Sequence, residues 1–110
     1  MARKPGNLQG TLDLLVLKTL AFRGPLHGYG IAMHVEAGSG DVLRVEEGSL
    51  YPTLHCMELA GWIRSNWRAS DNNRRAKYYG ITGAGSRRLA DEEQNSRLIV
   101  GAVERVLKFT

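Results

Sequence analysis

A chain of 110 residues with 43 % hydrophobic and 24 % charged content is long enough for one domain with its own core and too apolar to be disordered. Fifteen Lys and Arg against eleven Asp and Glu leave a net charge of +4, and no stretch has the length and apolarity to cross a bilayer, so no membrane partner is expected. Cys56 is the single cysteine; it excludes an internal disulfide, cannot supply a zinc site alone, and makes a reducing, cytoplasmic setting the expectation.

Residues 1–7 are polar, with Pro5 and Gly6, and are expected to form a loose arm. Arg3 and Lys4 ahead of Leu12 to Phe22 have the outline of a leader, but Asp13 and Lys18 interrupt the run, so a buried helix is expected instead. From Thr11, a suitable N-cap, the spacing turns helical, and Gly24-Pro25 stops it. Leu12, Leu15, Val16 and Leu20 form one face, and Leu14, Leu17 and Ala21 another. A surface helix of a monomer shows one apolar stripe, so the second face is expected against another subunit. A short helix follows over Gly28 to Glu36, with Ile31 and Val35 spaced for the core. Gly38-Ser39-Gly40-Asp41 ends it, and Val42 to Val45 is expected as a brief strand.

Pro52 lacks an N–H and belongs among the first helical residues, so the third helix is placed from near Gly48, with Gly48 or Ser49 as cap and Gly61 as its close. At about 100° per residue, Leu50, Leu54 and Met57 point inward, and Ser49, Pro52, Thr53 and Cys56 are assigned to the face away from them. Ser49 and Thr53 there have the chemistry to meet base edges or phosphates. Tyr51 has two readings of equal weight, a phenol reaching a phosphate or a ring packed beside Leu54. Glu46 and Glu47 suit the positive end of the helix dipole and are read as structural, with Arg44 as an ion-pair partner.

Ile63 to Arg68 and Lys77 to Ile81 alternate in character around the turn residues Ala69 to Arg74, which predicts a hairpin with a basic tip. Seven basic residues between Arg64 and Arg88 oppose one acid, Asp71, so that stretch carries +6 and the remainder −2. Such clustering is either a solvated surface or a phosphate-binding patch that gains affinity by counterion release. Thr82 is a good N-cap for a last helix, although Gly83 and Gly85 weaken its first turn. If continuous, that helix is about 42 Å long, against a radius of gyration of about 13 Å for a domain of this size. It must therefore project, and its apolar distal residues Leu98, Ile99, Ala102, Val103, Val106 and Leu107 need a cover. A two-fold homodimer is the economical one, with Leu12, Leu14 and Leu17 of the first helix joining the interface.

Neither a cofactor nor a catalytic site is expected. His27, His34 and His55 have no convergent metal spacing, and Gly28-Tyr29-Gly30 lacks the strand and third glycine of a phosphate loop. His55 and Cys56 diverge by about 100° on a helix. Cys56 as an oxidation sensor is weaker than Cys56 as a tolerated small residue, because no neighbouring charge lowers its pKa in an obvious way.

Three helices, a hairpin and a long helix are the order of a winged helix-turn-helix, an α+β, mostly α fold. The expected division is an arm over 1–7, a DNA-binding domain over 8–82 and a dimerisation helix over 83–110. Leu26-His27-Gly28-Tyr29, then Glu46-Glu47-Gly48-Ser49-Leu50-Tyr51-Pro52, then Asn72-Asn73-Arg74-Arg75-Ala76-Lys77-Tyr78-Tyr79 followed by Ile81-Thr82, resemble the PadR family of bacterial transcriptional regulators. The resemblance runs from Gly10 to Leu107 and is to the short subclass with one C-terminal helix. It implies a homodimeric repressor on double-stranded DNA, released from a roughly palindromic operator by a small-molecule effector. It also implies base and phosphate contacts from Ser49, Tyr51 and Pro52, backbone contacts from Arg74, Arg75 and Lys77, and a Tyr29 that fills the junction between helices. Three positions depart from the family pattern. Cys56 stands where a basic residue is frequent, Ser96 near a tryptophan that lines the dimer interface, and Gly80 where a long polar side chain is common. The competing reading is a winged-helix protein–protein module that docks through the apolar arm; it has no need of the +6 segment or of polar groups on the third helix.

Overall fold

The computed structural model describes residues 8–109, with side chains from Thr11 onward; the expected arm over 1–7 lies outside the described residues. The elements in order are α1 (Leu8–Arg23), β1 (Leu26–His27), α2 (Gly28–Gly38), α3 (Glu47–Leu59), β2 (Ile63–Ala69), β3 (Arg75–Ile81) and α4 (Gly83–Lys108). This is the winged helix-turn-helix order that the sequence predicts.

α1 starts at Leu8, so Thr11 lies inside the helix and not at its cap. Its residues Val16, Leu17 and Leu20 are buried at the centre of the core, because α2, α3, β3 and α4 all pack on this one helix. That enclosure takes Leu12 and Leu17 out of the expected subunit interface. Leu17 is 0 % exposed and Leu12 is buried within the single chain, while Leu14 is half-buried against the same core. Leu12 and Leu17 are therefore covered internally, while Leu14 is covered in part and Ala21 is exposed. Thr19 is buried and satisfied locally, its hydroxyl donating to the Leu15 carbonyl at 2.7 Å.

His27 caps α2: its Nδ1 accepts the Gly30 N–H at 3.0 Å. Beyond the helix the expected strand over Val42 to Val45 is absent. The Leu43 N–H donates to Ser39 Oγ at 3.0 Å and the Val45 N–H to Glu36 Oε2 at 2.9 Å, so side chains take donors that a ladder would need. A third strand exists elsewhere, as β1, and the antiparallel sheet has the order β1-β3-β2. α3 begins at Glu47, with Glu46 at the cap and no side-chain hydrogen bond there; Pro52 lies within the helix. The expected ion pair from Arg44 to Glu46 or Glu47 does not form among the described residues.

The hairpin register runs from Ile63↔Ile81 to Ala69↔Arg75. Its turn is closed by the Ser70 N–H on the Arg74 carbonyl at 2.7 Å, with Asn73 at φ 64°. Ile63 and Tyr79 are buried on the inner face. Thr82 caps α4 as the sequence predicts: Oγ1 accepts the Gly85 N–H at 3.0 Å and donates to the Gly61 carbonyl at 2.6 Å. Gly85 is needed because a Cβ there would collide with the Trp62 carbonyl oxygen, which outweighs its low helix propensity. Leu89 is the last buried residue of α4. The helix is about 39 Å long by its rise per residue and stretches the molecule to 55 × 28 × 23 Å, with a radius of gyration of 15.2 Å. Lys18 reaches Glu93 at 3.2 Å across the α1–α4 junction. Beyond it Leu98, Ile99, Val103, Val106 and Leu107 are exposed.

Candidate nucleic-acid interface

One concavity of about 690 Å³ is bordered by His27 of β1, by Gly28 and Tyr29 at the start of α2, by Tyr51 of α3, and by the hairpin from Trp67 to Tyr79. Its shape depends on Gly28. A Cβ at that position would lie 2.6 to 2.9 Å from the Tyr51 phenol, so a larger residue would displace the phenol from its place on the α2 backbone. Tyr51 thereby has a place intermediate between its two sequence readings, packed on α2 yet 45 % exposed on the rim of the concavity. Below it Tyr79 is buried, and its phenol is held above its ordinary 10.0 by burial first, then by the Glu58 carboxylate and Tyr51.

The cations on this face are not equivalent. Lys77 Nζ lies 3.6 Å from Glu58 Oε1, and the other Glu58 oxygen accepts the Ser65 hydroxyl at 2.6 Å. Its charge is partly compensated within the fold. Arg74 and Arg75 are exposed and form no ion pair among the described residues. The Arg75 guanidinium lies 5.8 Å from the Trp67 ring centre, and Trp67 itself is 58 % exposed. Asp71 is the one acid among the lining residues. Such a surface presents guanidinium, hydroxyl and aromatic groups with little opposing negative charge, which suits a polyanion.

On α3, Ser49, Pro52 and Cys56 are exposed as expected. Thr53 is not: it is 1 % exposed and belongs to the core. The helical angle explains the correction, since three residues advance about 300°, which leaves Thr53 about 60° from Leu50. A buried hydroxyl there has no access to a ligand. Tyr29 also departs from expectation. It is 66 % exposed, borders the concavity, and stacks with His27 at 6.4 Å between centroids, so it fills no helix junction. His27, Tyr29 and Trp67 are among the bordering residues that sequence reasoning missed. For Trp67 a signal was available, because an inward-alternating residue so near the hairpin tip lies beyond the reach of the core.

The family model of PadR-like transcriptional regulators matches residues 16–91, from α1 into α4. The chain belongs to the PadR-like family. Members of that family are transcriptional regulators, not enzymes. A PadR family transcriptional regulator from Eggerthella lenta is 31 % identical, with a TM-score of 0.76 over 94 % of this chain and 88 % of that one. A PadR family transcription regulator from Clostridium difficile is 28 % identical, with a TM-score of 0.73 over 87 % of this chain and 97 % of that one. A transcriptional regulator from Clostridium thermocellum, 22 % identical, superposes with a TM-score of 0.79 over 89 % of this chain and 94 % of that one, a likeness of fold alone. No curated protein matches the chain. Among the described residues of this PadR-like regulator, no helix is long and apolar enough to cross a membrane.

Proposed function

We propose that this PadR-like regulator is a homodimeric, cytoplasmic repressor that binds a roughly palindromic operator and is released by a small-molecule effector. In this reading residues 8–82 read DNA and 83–110 dimerise. The observation that supports DNA reading most is the concavity, where Tyr51 of α3 and the uncompensated Arg74 and Arg75 border the same space. α3 enters the major groove with Ser49 and Pro52 at base edges and Tyr51 at a phosphate, while Arg74 and Arg75 hold the backbone. Lys77 contributes less than either arginine, because Glu58 already answers its charge. Thr53, Leu12 and Leu17 take no part.

Dimerisation is supported by the distal α4 residues Leu98, Ile99, Ala102, Val103, Val106 and Leu107, all exposed in the single chain. In this reading the two-fold axis brings the two α3 helices to successive major grooves, about 34 Å or one turn of DNA apart. Repression and effector release rest on family membership. Fluorescence anisotropy on the duplex upstream of the protein's own coding region, with a scrambled competitor, a salt titration and a parallel mass measurement, tests the reading. Salt-dependent binding by a dimer that survives the competitor is expected. A monomer without salt-dependent binding would contradict it and favour a protein-docking module.

A further inference from the structure

The wing has a second face that the concavity does not use. Strand alternation sends Arg64, Asn66 and Arg68 of β2 to the side opposite Ser65 and Trp67, and the register sets them beside Gly80, Tyr78 and Ala76 of β3. With Pro25 they border a separate trough of about 400 Å³. No carboxylate lines it, and neither arginine is ion-paired among the described residues. The Arg68 guanidinium lies 4.1 Å from the Tyr78 ring centre, which orders the side chain and leaves its N–H edges available. Gly80, across from Arg64, keeps the floor open: a Cβ there would meet only Pro25 Cγ, at 3.9 Å.

Residues on one face of a strand recur about every 6.7 Å, so Arg64, Asn66 and Arg68 form an evenly spaced row of cation, amide and cation. Two guanidiniums and an amide in an even row, with no carboxylate among the lining residues, match the repeating negative charge of a sugar–phosphate backbone. Stacking of an unpaired base is disfavoured, since Arg68 covers the Tyr78 ring. The two faces of a single sheet look in opposite directions. Phosphates held by the outer face are therefore not those held by Arg75 on the inner one.

We propose that the outer face of the wing is a second phosphate-binding surface, in which Arg64 and Arg68 hold the backbone of duplex DNA flanking the operator. The inference rests on the DNA-binding reading above. Its test uses a site selected from a random duplex pool by the wild-type dimer. One duplex ends at the outer edges of the half-sites; a second extends by a helical turn at each end. Wild type is expected to bind the longer duplex more tightly and with a steeper dependence on salt. R64Q/R68Q is expected to bind both lengths alike, its salt slope on the long duplex shallower by about 0.9 for each phosphate that the variant no longer neutralises. Both side chains are exposed, so the variant's melting temperature should match that of wild type. A wild type indifferent to the extension, or a variant that loses equally on both lengths, overturns the proposal. Failure of wild type to prefer the short selected duplex over its scramble would instead overturn the DNA-binding reading, on a probe that lacks the flanking DNA.

Discussion

α1 and the distal half of α4 carry similar apolar residues, yet one lies at the centre of the fold and the other in solvent. Leu17 has α2, α3, β3 and α4 packed around its helix, whereas Val103 and Leu107 lie past Leu89, where α4 has left the body. Apolarity reports that a helix face needs cover; it does not report whether the cover comes from the same chain. The packing decides that. α1 has α2, α3, β3 and α4 packed on it, whereas α4 beyond Leu89 extends past the body that the other described elements form.

Exchanging the two kinds of leucine and valine separates the two roles. Leu17→Ala is expected to cost about 2–5 kcal/mol of folding stability, read as a lowered urea midpoint, because the enclosed site cannot collapse fully. Loss of the dimer with stability intact would refute α1's place in the core. Ile99→Ala with Val103→Ala is expected to do the reverse. Association should weaken by about 2 kcal/mol, a factor of about thirty, in sedimentation equilibrium, while the melting of the wing and core stays near that of wild type. A smaller pair of changes draws the same line through α3. Ser49→Ala should alter preference at one base pair by about 1–3 kcal/mol in a competition assay and leave stability unchanged. Thr53→Val should cost about 1 kcal/mol of stability and leave base preference unchanged, and a changed preference would restore Thr53 to the interface.

The smallest effect concerns Tyr79. Its folded-state pKa is raised above 10.0, so the unfolded chain releases the phenolic proton first as pH rises. Stability is complete below pH 10.0 and falls as pH climbs toward the folded-state value. Comparing urea midpoints at about pH 9 and about pH 11, Tyr79→Phe should lose less than wild type.

Much of the fold is legible in the sequence alone. Gly24-Pro25, Gly61 and Thr82 act through backbone geometry that operates locally, and they mark the ends of α1 and α3 and the start of α4. The hairpin's alternation is equally local. β1 escaped because two residues carry no period, and its existence depends on Tyr78 and Tyr79 arriving from far along the chain. The absent strand at Val42 to Val45 has the same lesson in reverse, since Ser39 and Glu36 claim its N–H groups through side chains. At the site, composition located the +6 segment, but sorting its charges required the structure. Only interatomic distances separate Lys77, answered by Glu58, from Arg74 and Arg75, which have no such partner. Thr53 is legible in the sequence as well, since its angle of about 60° from Leu50 puts it on the core side.

A hydroxyl-radical footprint of the wild-type protein on its selected duplex puts the pairing of the two α3 helices to the plainest test. Two protected patches of equal size, with centres one helical turn or about 10.5 base pairs apart, are expected from a dimer joined through distal α4. A single protected patch, or protection without a two-fold pattern, would contradict that pairing.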